Sequence, residues 1–448
     1  MVLKSTAGGG AQAMGMVRPE PVRAVADAVP FSHGHEPRPI DLHLEANECE
    51  FVPPGLLREV SAAQIGRYTS AHDLEKRLAA IWGVAPDRVL VTAGADEALH
   101  RICLVTLDGS RRGILPEPTF EMLDRYVRNS GAERVAVPWL DGPFPIDAFV
   151  REARRGCHAA FVVSPNNPTG LAATIEDVRR VRDAAGQAVV VLDAAYGEFA
   201  DDDPTPATLG LPGTVVTRSF SKAWGLAGLR VGYAVGDAAV IGWMRASCEP
   251  FPVAATSLAA VSRWLDEGAS IVAHKAAMVR REREELTAHL RALGARPTPS
   301  QANFVFCGFD DAAWAADALA GLGIAVRRFH DRPGLQDRLR ITCPGDAAKF
   351  SRLRRALVAA LKPERIVVDA DLHAPPEALR VLERRAPLEA SAGPRAGAPG
   401  WFVTGRLDAI AAARAAGLVP IFVGDEEAHP ISLGAARVVR SVADASRL

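Results

Sequence analysis

Ser219-Phe220-Ser221-Lys222-Ala223-Trp224-Gly225-Leu226-Ala227-Gly228-Leu229-Arg230 places a lysine just after two serines and eight positions before an arginine, in a run punctuated by glycine. Only six of the 52 basic residues are lysines, so position 222 departs from a strong preference for arginine. An arginine holds its proton and forms no imine, whereas a lysine amine in suitable surroundings loses its proton and attacks carbonyls. Ser219, Ser221 and Arg230 offer hydroxyl and guanidinium donors of the kind that grip a phosphate dianion. The stretch therefore predicts an imine-forming lysine beside a phosphate cradle.

Outward from it, between about residues 75 and 245, short β-rich runs alternate with amphipathic helical ones. Residues 89–92, 159–163, 188–192 and 215–217 read as buried strands, and 175–185 as a helix. This alternation predicts an α/β fold with a mostly parallel sheet wrapped by helices, whose ligands gather at the carboxyl ends of the strands. Residues 257–293 read as one long helical pattern, with Arg280, Arg281, Glu282 and Glu284 marking a solvated stretch. Strands at 302–306, 324–327 and 338–342 and a helix at 347–361 predict a smaller α+β unit. After Lys362-Pro363 comes an Ala- and Arg-rich tail with strand signals at 365–368, 401–403 and 420–423. The expected organisation is a loose arm over 1–40 and a large domain over 41–250 whose first segment joins the small domain. The small domain itself follows over 251–362, and then a small α/β module over 363–448, separable in architecture from the rest.

A net charge of −1 at 448 residues points away from nucleic acid and anionic membranes, and no apolar run is long enough for a membrane span. The first thirty or so residues lack the apolar core of a secretory signal. Six cysteines (Cys49, Cys103, Cys157, Cys248, Cys307, Cys343) show no paired spacing, so neither a metal site nor a disulfide framework is expected and a reducing cytoplasm fits.

The polar motifs that follow the strands match the groups of one cofactor, pyridoxal 5'-phosphate. Its ring nitrogen stays protonated only beside a buried carboxylate, and Asp193 ends the run Val189-Val190-Val191-Leu192; capping is its other reading. The ring oxygen needs donors, for which Asn167, in Ser164-Pro165-Asn166-Asn167-Pro168-Thr169-Gly170, and Tyr196 are candidates. Phe120, in Pro118-Thr119-Phe120, offers a flat face to the ring. Gly94-Ala95-Asp96-Glu97 opens a helix after a strand, so the amides of Ala95 and Asp96 complete the phosphate site.

The order of these motifs, from about residue 41 to 361, resembles that of fold type I pyridoxal-phosphate aminotransferases, and within them the histidinol-phosphate aminotransferase group. Ala46-Asn47-Glu48, Ala302-Asn303-Phe304 and Leu339-Arg340-Ile341-Thr342 also belong to the likeness. The resemblance implies amino-group transfer between a small-molecule amino donor and a 2-oxo acid, with Lys222, Asp193 and Tyr196 in the catalytic set. It implies Arg340 for the α-carboxylate, with Asn167 and Asn47 beside it, and Arg327 for the distal anion unless that arginine is merely solvated. It implies a homodimer with shared sites, in which Tyr68 reaches the neighbour's cofactor phosphate, although Tyr68 lacks the proline that follows this tyrosine in the family. Phe120 and Ala194 stand where the family has tyrosine and often glutamate. Decarboxylation of a phosphorylated amino acid and cofactor binding without catalysis are the alternatives. In the tail, Val367-Val368-Asp369-Ala370-Asp371 resembles the first motif of haloacid-dehalogenase-type phosphatases, with Thr404 and the acids Asp425, Glu426 and Glu427 as possible partners. No lysine follows Lys362, and Leu372 and His373 replace the expected glycine and threonine, so a remnant or packing module without phosphatase activity is expected.

Overall fold

Three sheets order the chain, which the computed structural model describes over residues 22–25, 36–49, 51–52, 55–57, 65–247, 249–425 and 428–448. Most of the arm expected over 1–40, together with Cys248, Glu426 and Glu427, lies outside the described residues. The first strand, β1 (Leu42–Leu44), leaves the chain's start and joins a sheet built much later in sequence.

The large sheet has seven strands: β2 (Val89–Thr92), β3 (Arg112–Glu117), β4 (Glu133–Pro138), β5 (Ala159–Val163), β6 (Val189–Asp193), β7 (Thr214–Ser219) and β8 (Gly232–Gly236). Their spatial order is β2-β8-β7-β6-β5-β3-β4, and only β8 runs against its neighbours. β5 and β6 are buried along their whole length, which is why they read as unbroken Val/Ala/Leu runs rather than alternating ones. The helix Ile175–Ala184 starts on a capping box in which Thr174 and Asp177 satisfy each other's free amides.

A second, five-stranded sheet holds β1, β9 (Arg296–Pro297), β10 (Phe304–Gly308), β11 (Ile324–Arg328) and β12 (Arg338–Thr342), in the order β1-β11-β12-β10-β9. Because β1 pairs in parallel with β11, the segment just after it, Glu45-Ala46-Asn47, is carried into the space between the two sheets.

The single helix expected over 257–293 is two, Ala255–Glu267 and Ala269–Ala292. Gly268 separates them, at a place where a Cβ would lie 2.5 Å from the indole of Trp264, a buried side chain whose ring N–H donates to the carbonyl of Trp224. The stretch expected to be solvated is only partly so. Glu282 and Arg283 are buried, and Glu282 accepts the Gly345 amide at 2.7 Å while burial pushes its carboxyl up to about 7. Charge in the sequence marked this turn as outward; the interleaved apolar positions Val279, Leu286 and Leu290 turn it inward.

The tail forms a third sheet of five parallel strands, β13 (Arg365–Asp369), β14 (Leu388–Ser391), β15 (Gly400–Thr404), β16 (Leu418–Val423) and β17 (Arg437–Val439), in the order β14-β13-β15-β16-β17. Its core is shared with that of the small domain. Ile366, Val368, Val403 and Ile421 share one continuous core with Leu319, Leu353 and Leu357. Trp401 lies edge-on to Trp314 with ring centres 5.2 Å apart, and the two indoles donate to the carbonyls of Ala359 and Ala360 in the same helix. Arg38, buried, ties the N-terminal segment to the tail through the carbonyls of Ala435 and Ala436. Truncation after Leu361 is therefore expected to uncover this core and to produce an aggregating protein. Trp401→Ala, at a side chain 1% exposed, is expected to cost about 3–5 kcal/mol, read as a lower denaturant midpoint. An unchanged midpoint would mean that the tail's contact contributes nothing to stability.

Candidate active site

The carboxyl ends of β2, β5, β6 and β7 meet Glu45-Ala46-Asn47 and the edge of the small sheet around a cleft of about 230 Å³. At one end of it, β2 leads through Gly94, at φ +85°, into the helix Gly94–Thr106. A Cβ on Gly232 of β8 would lie 2.5 Å from the backbone of Gly94 and Ala95, so glycine there lets the helix start press against the sheet. The amides of Ala95 and Asp96 fall among the first four of that helix, which have no intrahelical acceptor. Arg230, in the left-handed region at φ 52°, donates to Ser221 Oγ at 3.4 Å and to Asp96 Oδ2 at 2.9 Å. Ser219 Oγ accepts the Ser221 amide at 3.0 Å. The five residues assigned to a phosphate cradle thus stand at one end of the cleft, with the Asp96 carboxylate supplying the one anion that Arg230 holds there.

Asp193 ends β6 at 5% exposure. One carboxylate oxygen, Oδ1, accepts from Thr217 Oγ1 at 2.8 Å and from the Ala195 amide at 3.3 Å. No lysine or arginine forms an ion pair with it among the described residues, and burial pushes its carboxyl up to about 6. A buried acid without a cation suits a ligand that brings its own, as a protonated pyridine nitrogen does. The residues present therefore fit pyridoxal phosphate.

Lys222 Nζ lies 5.8 Å from the centre of the Tyr196 ring and donates to the carbonyl of Ala46 at 3.0 Å. Tyr196 Oη accepts from Asn47 Nδ2 at 2.9 Å. Asn47, 1% exposed and at φ 57°, also accepts from Thr342 Oγ1 through its side chain and from Asn303 Nδ2 through its carbonyl. Its amide thus helps to aim Tyr196 while Asn47 itself lines the cleft. Asn167 Oδ1 accepts from Arg340 Nη1 at 2.5 Å, and Arg340 Nη2 donates to the Glu45 carbonyl. Burial of Arg340 brings its guanidinium down to about 10. Phe120 lines the cleft, half-buried. Tyr68 does not: it is 86% exposed and stacks on Phe251 with ring centres 5.0 Å apart.

Arg327 and Arg340 are direct cross-strand partners on β11 and β12, and both line the cleft. Sequence patterns do not announce Glu121 and Arg332, which line the cleft, or Thr217, which is buried behind it against Asp193. Thr217 is the register partner of Asp193, a signal that strand pairing alone could have supplied. Glu121 follows Phe120 directly, and Arg332 lies in the loop after β11 with no motif around it. In the tail, Asp369 is buried and accepts Thr404 Oγ1 at 2.6 Å, while Asp371 is exposed. No group of acids, histidines or cysteines among the described residues is placed to hold a metal ion.

Residues 31–357 match the family described as aminotransferase class I and II. The histidinol-phosphate aminotransferase of Xylella fastidiosa is 33% identical over 315 residues, 67% of this chain and 85% of that protein. That of Xanthomonas euvesicatoria is 35% identical over 318 residues, 67% of this chain and 86% of that one. The crystal structure of histidinol-phosphate aminotransferase from Sinorhizobium meliloti in complex with pyridoxal-5'-phosphate is similar with a TM-score of 0.61 at 25% identity, covering 71% of this chain and 90% of that one.

Proposed function

Because this chain belongs to the class I and II aminotransferases and is a pyridoxal-phosphate-dependent enzyme of that family, we propose that it moves the amino group of histidinol phosphate or a similar amino alcohol or amino acid phosphate, with glutamate and 2-oxoglutarate as the partner pair. The observation that carries the substrate class is the pairing of Arg327 with Arg340. Like charges directly opposite on neighbouring strands are destabilising, and here both face one cleft. The arrangement is balanced by a substrate pair with anions at two places: an α-carboxylate at Arg340, and a distal phosphate or carboxylate at Arg327.

Pyridoxal phosphate, when bound, supplies an electron sink for the bond broken at the substrate's α-carbon. In this reading Ser219, Ser221, Arg230 and the amides of Ala95 and Asp96 hold its phosphate, and Asp193 holds a proton on its ring nitrogen. Tyr196 and Asn167 donate to its ring oxygen, and Phe120 covers one face. Lys222 would anchor the cofactor through its amine, and the same amine would serve as general base and acid for the proton on the substrate's α-carbon. Tyr68, exposed on its own subunit, reaches the phosphate of the neighbour in a cytoplasmic homodimer. No helix among the described residues is long and apolar enough to cross a membrane.

The test is a half-reaction. Histidinol phosphate or glutamate, added without an acceptor, is expected to remove the visible absorbance of the holoenzyme and to release one equivalent of oxo product. Persistence of that absorbance with every amino donor would sink the reading, and carbon dioxide released from a phosphorylated amino acid would favour decarboxylation instead. Arg340→Ala is expected to raise the KM for glutamate by the equivalent of roughly 2–5 kcal/mol, the loss that follows when a buried charge-assisted contact is cut. Histidinol phosphate, which has no α-carboxylate, suffers less. Equal losses for both substrates would break this division of labour.

A further inference from the structure

We propose that Arg332 is the second arm of the distal-anion site and that Glu121 is a resident carboxylate which an incoming phosphate displaces, so that the cleft prefers a phosphate dianion to a carboxylate at that end. The inference rests on reading the cleft as the amino-transfer site and adds what selects the substrate there.

Glu121 opens the helix Glu121–Asn129 beside the large sheet, whereas Arg327 and Arg332 belong to β11 and the loop after it. One oxygen, Glu121 Oε2, lies 3.0 Å from Arg332 Nη2 and 3.6 Å from Arg327 Nη2. The other, Oε1, faces Arg125 at 3.8 Å. All of these but Arg125 line the cleft, and the side chains of Glu121, Arg327 and Arg332 are each between a fifth and a third exposed, so an entering ligand can reach them. The loop is held in place. Phe329 and Leu335 pack with Phe306 and Leu140, and the Arg332 amide and carbonyl bond to Phe329 and Leu335.

The charge balance decides which ligand gains. Two guanidiniums facing one shared carboxylate oxygen, with Arg125 beside the other oxygen, leave positive charge in excess around Glu121. A carboxylate that displaces Glu121 brings the same single charge and gains little by the exchange. A phosphate dianion brings two charges and three oxygens, enough to accept from both guanidiniums at once. Glu121 thus holds Arg327 and Arg332 at a workable separation and sets the threshold that a distal anion must exceed.

Calorimetric titration of the holoenzyme with propyl phosphate, which has no amine to react, and with glutarate as the carboxylate probe tests this. Arg332→Ala is expected to weaken propyl phosphate about tenfold or more and glutarate by less than about threefold, with Arg332→Lys recovering part of the loss. Glu121→Gln is expected to tighten propyl phosphate, since the competing carboxylate is gone. Propyl phosphate binding that is unchanged in Arg332→Ala, or weakened in Glu121→Gln, would overturn the proposal. If amino transfer holds while either of those results is found, this inference falls alone. If the binding pattern holds while no donor transfers its amine, the anion site stands and the reading of the reaction falls.

Discussion

Lys222→Ala is expected to lower turnover on the order of 10⁴-fold or more and to abolish borohydride-reducible attachment of the cofactor. Among the described residues Lys222 is the sole lysine lining the cleft, and its amine is held at the Ala46 carbonyl above the Tyr196 ring. Lys275, also in this part of the chain, is committed to the Gly345 carbonyl and the Phe51 ring. No second amine among the described residues is therefore placed to take over either the anchoring or the proton transfer. The phosphate cradle does not involve the lysine, so the variant should still bind the cofactor, more weakly and without a covalent bond. Lys222→Arg separates charge from nucleophilicity: it keeps a cation at the site, forms no imine, and should be as inactive as the alanine variant. A reducible adduct in either variant would show that another amine carries the chemistry.

The lysine run, the Asp193 strand end and the Gly94 turn were legible because each is a local pattern. A strand that ends in a polar residue, or a glycine that lets a helix start, is written within a few positions of sequence. What was not legible depends on segments distant in the chain. Glu121 meets Arg327 and Arg332 only because a helix of one sheet's body faces a loop of the other. Asn47 lines the cleft, but the partners that hold it there, Tyr196, Thr342 and Asn303, lie far along the chain and leave no mark beside it in sequence. The tail shows the same limit. Its β-rich runs announced a sheet, and the Lys362-Pro363 break suggested an independent one. The pairing of Trp401 with Trp314, which makes the core continuous, leaves no mark in either segment.

Asp193→Asn is expected to leave the protein folded and the cofactor bound while turnover falls by about two to three powers of ten. An asparagine oxygen can still accept from Thr217 and from the Ala195 amide, so the contacts that seat Oδ1 survive. It carries no charge, and so cannot hold a proton on the ring nitrogen. A pH experiment separates this role from a structural one. Burial raises the Asp193 carboxyl from 3.8 to about 6 in the cofactor-free protein. Between those values the native state keeps a proton that the unfolded state has lost, so the cofactor-free protein loses stability as pH rises through that window and has lost the full contribution above it. A shift of this size corresponds to at most about 3 kcal/mol. Asp193→Asn removes the buried charge, so the cofactor-free variant should be more stable than the wild type at pH 7 and should lack that dependence. In the wild type, cofactor binding at pH 7 meets a carboxylate already ionised, whereas below 6 a proton must first leave. The gain in Tm on adding pyridoxal phosphate should therefore shrink as pH falls through 6, and that part of the trend should be missing in the variant. Near-normal turnover in Asp193→Asn, or the same pH trend in both proteins, would assign the ring nitrogen to another group.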